Sequence, residues 1–320
     1  MDGTLQQKST QAIAEGSKSF AIASLLFRPR MQRHAHMMYA WCRHCDDVID
    51  GQNLGFGETI PAGKQGAPDA EDLQSLYQEL EAAYSGGQPE TWQFEAFQQV
   101  ALEAGMPKQH ALDLLHGFEM DVAQHSYDSL EDTLKYSYHV AGVVGVMMAI
   151  IMGVDPSDDE TLDRASDLGI AFQLTNIARD VIDDAAIGRV YLPGDWLEEA
   201  GVRPTPEDVL KEENREAVWS VALRLLEEAD KYYISSGPGV RRLPIRAGFA
   251  VAAACGVYRD IGRVVRKGVD VWDKRARTSR RRKLALAGLG CIQGAGSKSM
   301  FFRKLPPRED LWQRPQIGAA

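Results

Sequence analysis

Cysteine is scarce, with only Cys42, Cys45, Cys255 and Cys291 in 320 residues. So few cannot staple a chain of this length, and a reducing compartment is expected. Cys42 and Cys45 form a C-x-x-C pair, but no second ligand pair or βαβ pattern accompanies it, so both read as small core residues. Positive charge is the minority sign, with 36 Lys and Arg against 45 Asp and Glu for a net charge of -9. That balance argues against general nucleic-acid binding. No basic segment followed by an apolar one opens the chain, and no Arg-rich, acid-poor stretch does, so neither a secretory nor a transit leader is expected. The longest uncharged apolar run, 140–154, is interrupted by glycine and too short to span a bilayer as a helix. Strict alternation of apolar and polar residues is scarce, which leaves little room for strands. No Ser-His-Asp arrangement, P-loop or G-x-G-x-x-G fingerprint is evident.

What is present is helical periodicity. Hydrophobic residues make up 44% of the chain and charged residues 25%, ordinary for a globular protein. Helices are predicted over 8–24, Pro29–Asp50, 70–84, 90–104, 108–124, 129–153, 158–184, 194–201, 206–236, 241–268 and 274–289. Pro29 suits a first helical position. Residues 51–70 hold five glycines and two prolines, so they read as a loop, long for a plain connection. The expected architecture is all-α: one helical domain over 1–290 and a loosely packed C-terminal tail over 291–320. Two glycines, Gly142 and Gly145, fall inside the 129–153 helix. They give it a slim face, for a ligand or for a closely packed neighbour. His139 in the same helix reads as a packed, hydrogen-bonded histidine.

Two stretches carry the chemistry. On a helix, Tyr39, Arg43, Asp46 and Asp50 fall at i, i+4, i+7 and i+11, one polar stripe along one face. Met38, Trp41, Cys45 and Val48 or Ile49 form the apolar stripe beside it. Gln173, Asn176, Asp180 and Asp184 fall at i, i+3, i+7 and i+11, with Arg179 and Asp183 next to them and Ile170, Leu174, Ile177 and Val181 as the apolar companions. Each row spaces its carboxylates one turn apart, roughly 6 Å along the axis. Two such rows facing each other make a cage for a hard divalent cation. Mg²⁺ takes one or two carboxylates together with waters and phosphate oxygens. The neighbouring arginines make sense if that phosphate belongs to the site. Caged ions and arginines fit a diphosphate leaving group, and the carbocation left behind needs a dry, apolar cavity.

These residues resemble a known family. Asp46-Asp47-Val48-Ile49-Asp50 and Asn176-Ile177-Ala178-Arg179-Asp180-Val181-Ile182-Asp183-Asp184 are similar to the paired aspartate motifs of head-to-head prenyl synthases, the squalene/phytoene synthase family. Ser17-Lys18-Ser19-Phe20, Tyr39 with Arg43, Val140-Ala141-Gly142-Val143-Val144-Gly145 and Arg189-Val190-Tyr191-Leu192-Pro193 match its pattern in order. The resemblance spans about residues 15–285. The wording of 39–50 and the ending Leu311-Trp312-Gln313-Arg314-Pro315 are most similar to the bacterial phytoene-forming members.

The resemblance implies an isoprenoid-synthase fold with a central cavity. It implies joining two geranylgeranyl diphosphates, C1′ to C1, through prephytoene diphosphate, a cyclopropylcarbinyl diphosphate. Phytoene, a carotenoid precursor, would form with loss of two diphosphates and without reduction, so no nicotinamide cofactor is expected. Asp46, Asp50, Asn176, Asp180 and Asp184 would ligate Mg²⁺, with Mn²⁺ as a substitute. Ser17, Ser19, Tyr39, Arg43, Gln173, Arg179, Tyr258 and Arg275 would hold diphosphates. Asp46, Asp50, Asp180, Asp184, Arg43 and Tyr39 would carry the catalysis, supported from behind by Asp47 and Asp183.

Two rivals stay open: a C15-using dehydrosqualene or squalene synthase of the same fold, and a non-catalytic helical assembly protein. The basic run Lys274, Arg275, Arg277, Arg280, Arg281, Arg282 and Lys283 reads either as a solvated face or as a contact with anionic lipid. The protein is expected in the cytoplasm, with downstream carotenoid enzymes as partners, and the second reading adds peripheral contact at the inner face of the membrane.

Overall fold

The axis of the molecule is the 28-residue helix α9 (Asp159–Ala186), whose ends are written in its local sequence. Asp158 caps it, accepting from the Thr161 amide at 3.1 Å and the Thr161 hydroxyl at 2.6 Å. Asp159 and Glu160 in the first turn complement the helix dipole. At the other end Gly188 takes the left-handed conformation at φ 86°. There the Arg189 amide reaches back to the Asp184 carbonyl at 2.9 Å, a six-to-one closure that stops the helix and turns the chain back.

A computed structural model describes residues 2–50, 70–273 and 306–316, the side chains of Asp2, Gly3, Lys18, Ser19 and Asp50 excepted. Around α9 stand α1 (Asp2–Gly16), α2 (Lys18–Ser24), α3 (Pro29–Asp50), α4 (Ala70–Ser85), α5 (Trp92–Ala104), α6 (Lys108–Val122), α7 (Leu130–Ser137) and α8 (Val143–Ile151), then α10 (Gly194–Glu199), α11 (Pro206–Val209), α12 (Arg215–Arg242) and α13 (Ile245–Val265). No strand occurs among the described residues. Helices α12, α8 and α13 pack along α9, while α3 packs against α1 and α5. Both predicted apolar stripes face inward: Met38, Trp41, Cys45 and Ile49 on α3, and Ile170, Leu174, Ile177 and Val181 on α9, are all buried. Burial of such side chains stabilises the fold by roughly 1.5–3 kcal/mol each.

Four features differ from expectation. The first predicted helix, 8–24, breaks at Ser17, which leaves helical geometry (φ -146°) to cap α2 by accepting from the Phe20 amide at 3.4 Å. The 129–153 helix holds a π turn, Tyr138–Gly142, between α7 and α8. The predicted helix 206–236 is split into α11 and α12 by the segment 210–214, and α12 runs through Pro238 to Arg242 rather than stopping at 236. Packing along α9 outweighs the hydrogen bond that the proline removes, and Gly239 seats against the Arg164 side chain. Within the expected loose tail, residues 306–316 are strapped to α9. Arg308 holds Asp167 at 2.8 and 2.9 Å and Asp163 at 2.7 Å, while Arg314 holds Asp163 at 2.7 Å and also Asp159. Trp312 packs on Tyr138 at 4.7 Å between ring centres. The predicted helix 274–289 and most of the 51–70 loop lie outside the described residues.

Leu130–Ile151 is long and apolar enough to cross a membrane by length and composition, and 67% of its most apolar window is buried inside the fold. It packs as a core element against α6 and α9.

Close approach explains the glycines. A Cβ on Gly145 would lie 2.4 Å from the Ala165 carbonyl oxygen, and one on Gly169 would lie 2.2 Å from that of Ala141. The slim face therefore lets α8 and the π turn touch the α9 backbone. The close-packing reading of the slim face holds, and Gly145 of that face also lines the cavity described next.

Candidate active site

A cavity of about 470 Å³ opens between α2, α3, α6, α8, α9 and α13. Most of its wall is apolar and includes Phe20, Met38, Phe118, Val144, Met148, Leu168 and Phe172. Polar groups enter from both predicted rows: Tyr39, Arg43 and Asp46 from α3, and Gln173 and Asn176 from α9. Tyr258 joins them from α13. The two motif helices thus confront each other across one greasy pocket.

On α3, Arg43 fixes its neighbours. Its Nη2 lies 3.0 Å from Asp46 and 3.0 Å from Asp47, and its Nε donates to Asp47 at 3.0 Å. Asp47 does not line this cavity; it grips Arg43 from the side of a neighbouring cleft walled by Lys8, Glu15 and His44. Burial pushes the Tyr39 hydroxyl up to about 12 against the pull of Arg43, so the phenol remains a donor at neutral pH. The close approach of Gly16 to the Tyr39 hydroxyl seats the end of α1 against this row.

On α9, Arg179 donates to Asp180 through both prongs, at 2.7 and 2.5 Å, and Asp180 is buried. Burial first, and Asp180 next, push the Asp184 carboxyl up to about 8 against the opposing charge of Arg189. Asp183 is exposed on the same turn. Carboxylates this crowded favour a cation or a proton between them. Arg179, Asp180 and Asp184 do not line the cavity; they continue the α9 row beyond Asn176.

The donor set suits a hard ion. Gln173 accepts from the Asn176 amide nitrogen at 3.3 Å, and Asn176 also hydrogen-bonds the Tyr258 hydroxyl. That leaves Asn176 Oδ1 buried with no hydrogen-bond partner. A buried carbonyl oxygen without a donor costs about 1–3 kcal/mol. Beside carboxylates it is an oxygen ligand for Mg²⁺. Asp46, Asn176, Asp180 and Asp184 therefore fit such ions by chemistry. Tyr258 stacks on Phe172 at 4.0 Å, which fixes its ring between pocket wall and polar row.

Ser17 caps α2 and does not line the cavity. The side chains of Ser19 and Asp50, and all of Arg275, lie outside the described residues. Burial keeps both thiols of the C-x-x-C pair protonated, Cys42 up to about 12, as suits small core residues.

Asp121, Tyr136 and Arg189 also line the cavity, without a role in the sequence reading. Asp121 accepts from the Tyr136 hydroxyl at 3.1 Å and the Tyr191 hydroxyl at 3.0 Å, and these two rings stack at 4.7 Å. Arg189 and Tyr191 sit in the quoted 189–193 block, so that block held a signal. Asp121 is one of three acids on α6, beside Asp113 and Glu119, and no spacing set it apart.

The squalene/phytoene synthase family model matches residues 13–282. The chain belongs to the squalene/phytoene synthase family. It is 49% identical over 312 residues to a phytoene synthase of Pseudescherichia vulneris, covering 97% of this chain and 98% of that one. It is 48% identical over 314 residues to a 15-cis-phytoene synthase of Pantoea ananas, covering 98% of each. Among solved structures it is similar to a dehydrosqualene synthase in complex with ligand, with TM-score 0.77, 25% identity, and coverage of 91% of this chain and 96% of that one. The fold of this family member is all-α, of the kind those prenyl synthases share.

Proposed function

We propose that this protein condenses two geranylgeranyl diphosphates head to head, C1′ to C1, and releases phytoene and two diphosphates. The single observation that carries the reading is the buried, unpartnered Asn176 Oδ1, set beside the α9 acids in a cavity that Asp46 also lines. Asp46, Asp50, Asn176, Asp180 and Asp184 hold Mg²⁺, with Mn²⁺ as a substitute. Bound there, the ions supply neutralisation of the charge that builds on the departing diphosphates.

The chain's own residues do the rest. Arg43, Arg179 and Arg189 orient diphosphate oxygens, helped by the hydroxyls of Tyr39 and Tyr258 and the amide of Gln173. Ser17, Ser19 and Arg275 complete the diphosphate contacts, and Asp47 and Asp183 steady their neighbours. Loss of the first diphosphate, with departure of one proton from C1′, joins the chains as the cyclopropylcarbinyl diphosphate. Loss of the second opens that ring, and departure of a proton leaves the central double bond. No electron pair is added, so no nicotinamide is required. Phe20, Met38, Phe118 and Phe172 keep water from the cations. Asp121 locks the hydroxyls of Tyr136 and Tyr191 and so fixes the Tyr136 ring in the wall.

The C15-using alternative shares this site. Identities near 49% to phytoene synthases, against 25% to the dehydrosqualene synthase structure, favour the C20 substrate. Diphosphate release from purified protein and geranylgeranyl diphosphate tests the reading. It predicts release that needs Mg²⁺ and stops with chelator. No release from any prenyl diphosphate would favour a scaffold built on the same fold.

We also read residues 1–290 as one catalytic unit. The basic run 274–283 is proposed to bring it to anionic lipid at the inner membrane face, near downstream carotenoid enzymes. Salt-sensitive binding to anionic vesicles is expected, and equal binding to neutral vesicles would remove this reading.

A further inference from the structure

Asp113, His116 and His139 stand together away from the catalytic cavity, and none of the three lines it. One ligand atom from each lies within 4.8 Å of the others. Asp113 and His116 are one turn apart on α6, and His139 sits in the π turn. Gly117 makes the juxtaposition: a Cβ there would lie 2.8 Å from Val140 and 3.1 Å from the His139 Cβ. Only a residue without a side chain lets α6 approach the π turn so closely. Single π turns often mark functional positions.

The three groups are oriented as ligands are. His139 Nδ1 lies 2.7 Å from the backbone carbonyl of Asp113. A carbonyl can only accept, so Nδ1 carries the proton and Nε2 carries the lone pair. An imidazole held by a carbonyl through its other nitrogen is the usual arrangement at metal sites. Burial keeps this ring neutral at physiological pH. The Asp113 carboxylate is fixed by the Tyr138 hydroxyl at 2.6 Å and the Gln109 amide at 2.8 Å. His116 is exposed, with its ring edge-on to His139 at 5.8 Å.

We propose that Asp113, His116 and His139 form a second metal site, distinct from the aspartate rows, for a divalent ion of the Zn²⁺ class. Two imidazoles and one carboxylate suit Zn²⁺ or its transition-metal neighbours better than Mg²⁺, which prefers oxygen. Ligands about 2.1 Å from a shared ion stand at most about 4.2 Å apart, and the exposed His116 supplies the small movement that closes the set. Lys135, one turn before His139, is a positive charge that opposes binding, as is Arg314 near Tyr138. A bound ion would brace α6 against the π turn. Those elements carry Leu114, Phe118, Asp121 and Val140 of the cavity wall.

The test is titration of the full-length protein with Zn²⁺ against a chromogenic chelator. Mg²⁺ is kept in large excess so that the aspartate rows are occupied. One Zn²⁺ per chain is expected, with affinity falling at least about tenfold in His116→Ala. Zn²⁺ should raise the melting temperature of the wild type and leave that of His116→Ala unchanged. His116→Cys should restore binding, since a thiolate is also a Zn²⁺ ligand. Because His116 is exposed, its variants keep the fold and the basal activity. Equal Zn²⁺ affinity in the wild type and His116→Ala, or no Zn²⁺ uptake by the wild type, would overturn the proposal.

Discussion

The guanidinium of Arg179 grips the carboxylate of Asp180, its neighbour in the chain, with both prongs, Nε to Oδ1 at 2.7 Å and Nη2 to Oδ2 at 2.5 Å. On the proposed reading an ion held by Asp180 would share that carboxylate with the guanidinium, or leave the guanidinium for a diphosphate. Either way the fork geometry matters, and lysine lacks it. A charge-assisted bond is worth about 1.5–3 kcal/mol, so Arg179→Lys should lower kcat/KM for diphosphate release about 10- to 100-fold. A melting curve close to wild type should accompany that loss.

Deleting one carboxylate goes further. Asp46→Ala or Asp180→Ala should lower turnover by at least about 10²-fold, the scale for one preorganised electrostatic group. Near-normal steady-state turnover in either variant would count against its place in the ion cage.

Asp184 makes stability depend on pH. Its carboxyl is held at about 8 by burial and by Asp180, whereas in the unfolded chain it titrates near about 4. The folded state therefore holds a proton that the unfolded state has lost. Stability from this group is fully present below the unfolded value and declines as pH rises to about 8. Asp184→Asn should flatten that decline and raise the melting temperature at pH 8 without added metal. With Mg²⁺ held at Asp184, as proposed, the ion would compete with the proton, so its stabilisation of the wild type should grow between pH 6 and pH 8. Melting curves across that range, with Mg²⁺ and with chelator, check both.

The contact between α9 and the π turn has no slack. A methyl at Gly169 would meet backbone, 2.2 Å from the Ala141 oxygen and 2.7 Å from its carbon. Alanine gains about 1 kcal/mol of helix propensity over glycine, but overpacking costs typically 1–3 kcal/mol and sits at the upper end where backbone must move. Gly169→Ala should therefore melt several degrees lower and lose activity through a distorted cavity. An unchanged melting temperature would show that the two backbones part easily.

Much of this site was legible because it is periodic. Asp46 and Asn176, 130 residues apart, were paired through the spacing of stripes on their own helices and the family resemblance of their motifs, and they line one cavity. Pro29 at the start of α3 was equally local. Ser17 shows the limit: its block was read as part of one helix, yet a single extended residue there caps a new one. The predicted stop at 236 failed for the opposite reason, since packing along α9 carries α12 through Pro238.

Asp121 could not be read at all. Its partners Tyr136 and Tyr191 lie 15 and 70 residues away, and only the stacking of their rings brings both hydroxyls to it. The packing of 306–316 was hidden likewise. Arg308 and Arg314 look like ordinary charges in a Pro-rich end until Asp159, Asp163 and Asp167 present one acidic stripe on α9 to receive them.

The most direct measurement is a chromatogram of the products that purified protein makes from geranylgeranyl diphosphate and Mg²⁺. A C40 peak with the mobility of phytoene, absent with chelator and with Asp46→Ala, is the predicted result. Conversion of farnesyl diphosphate alone to a C30 product, with none at C40, would contradict the account.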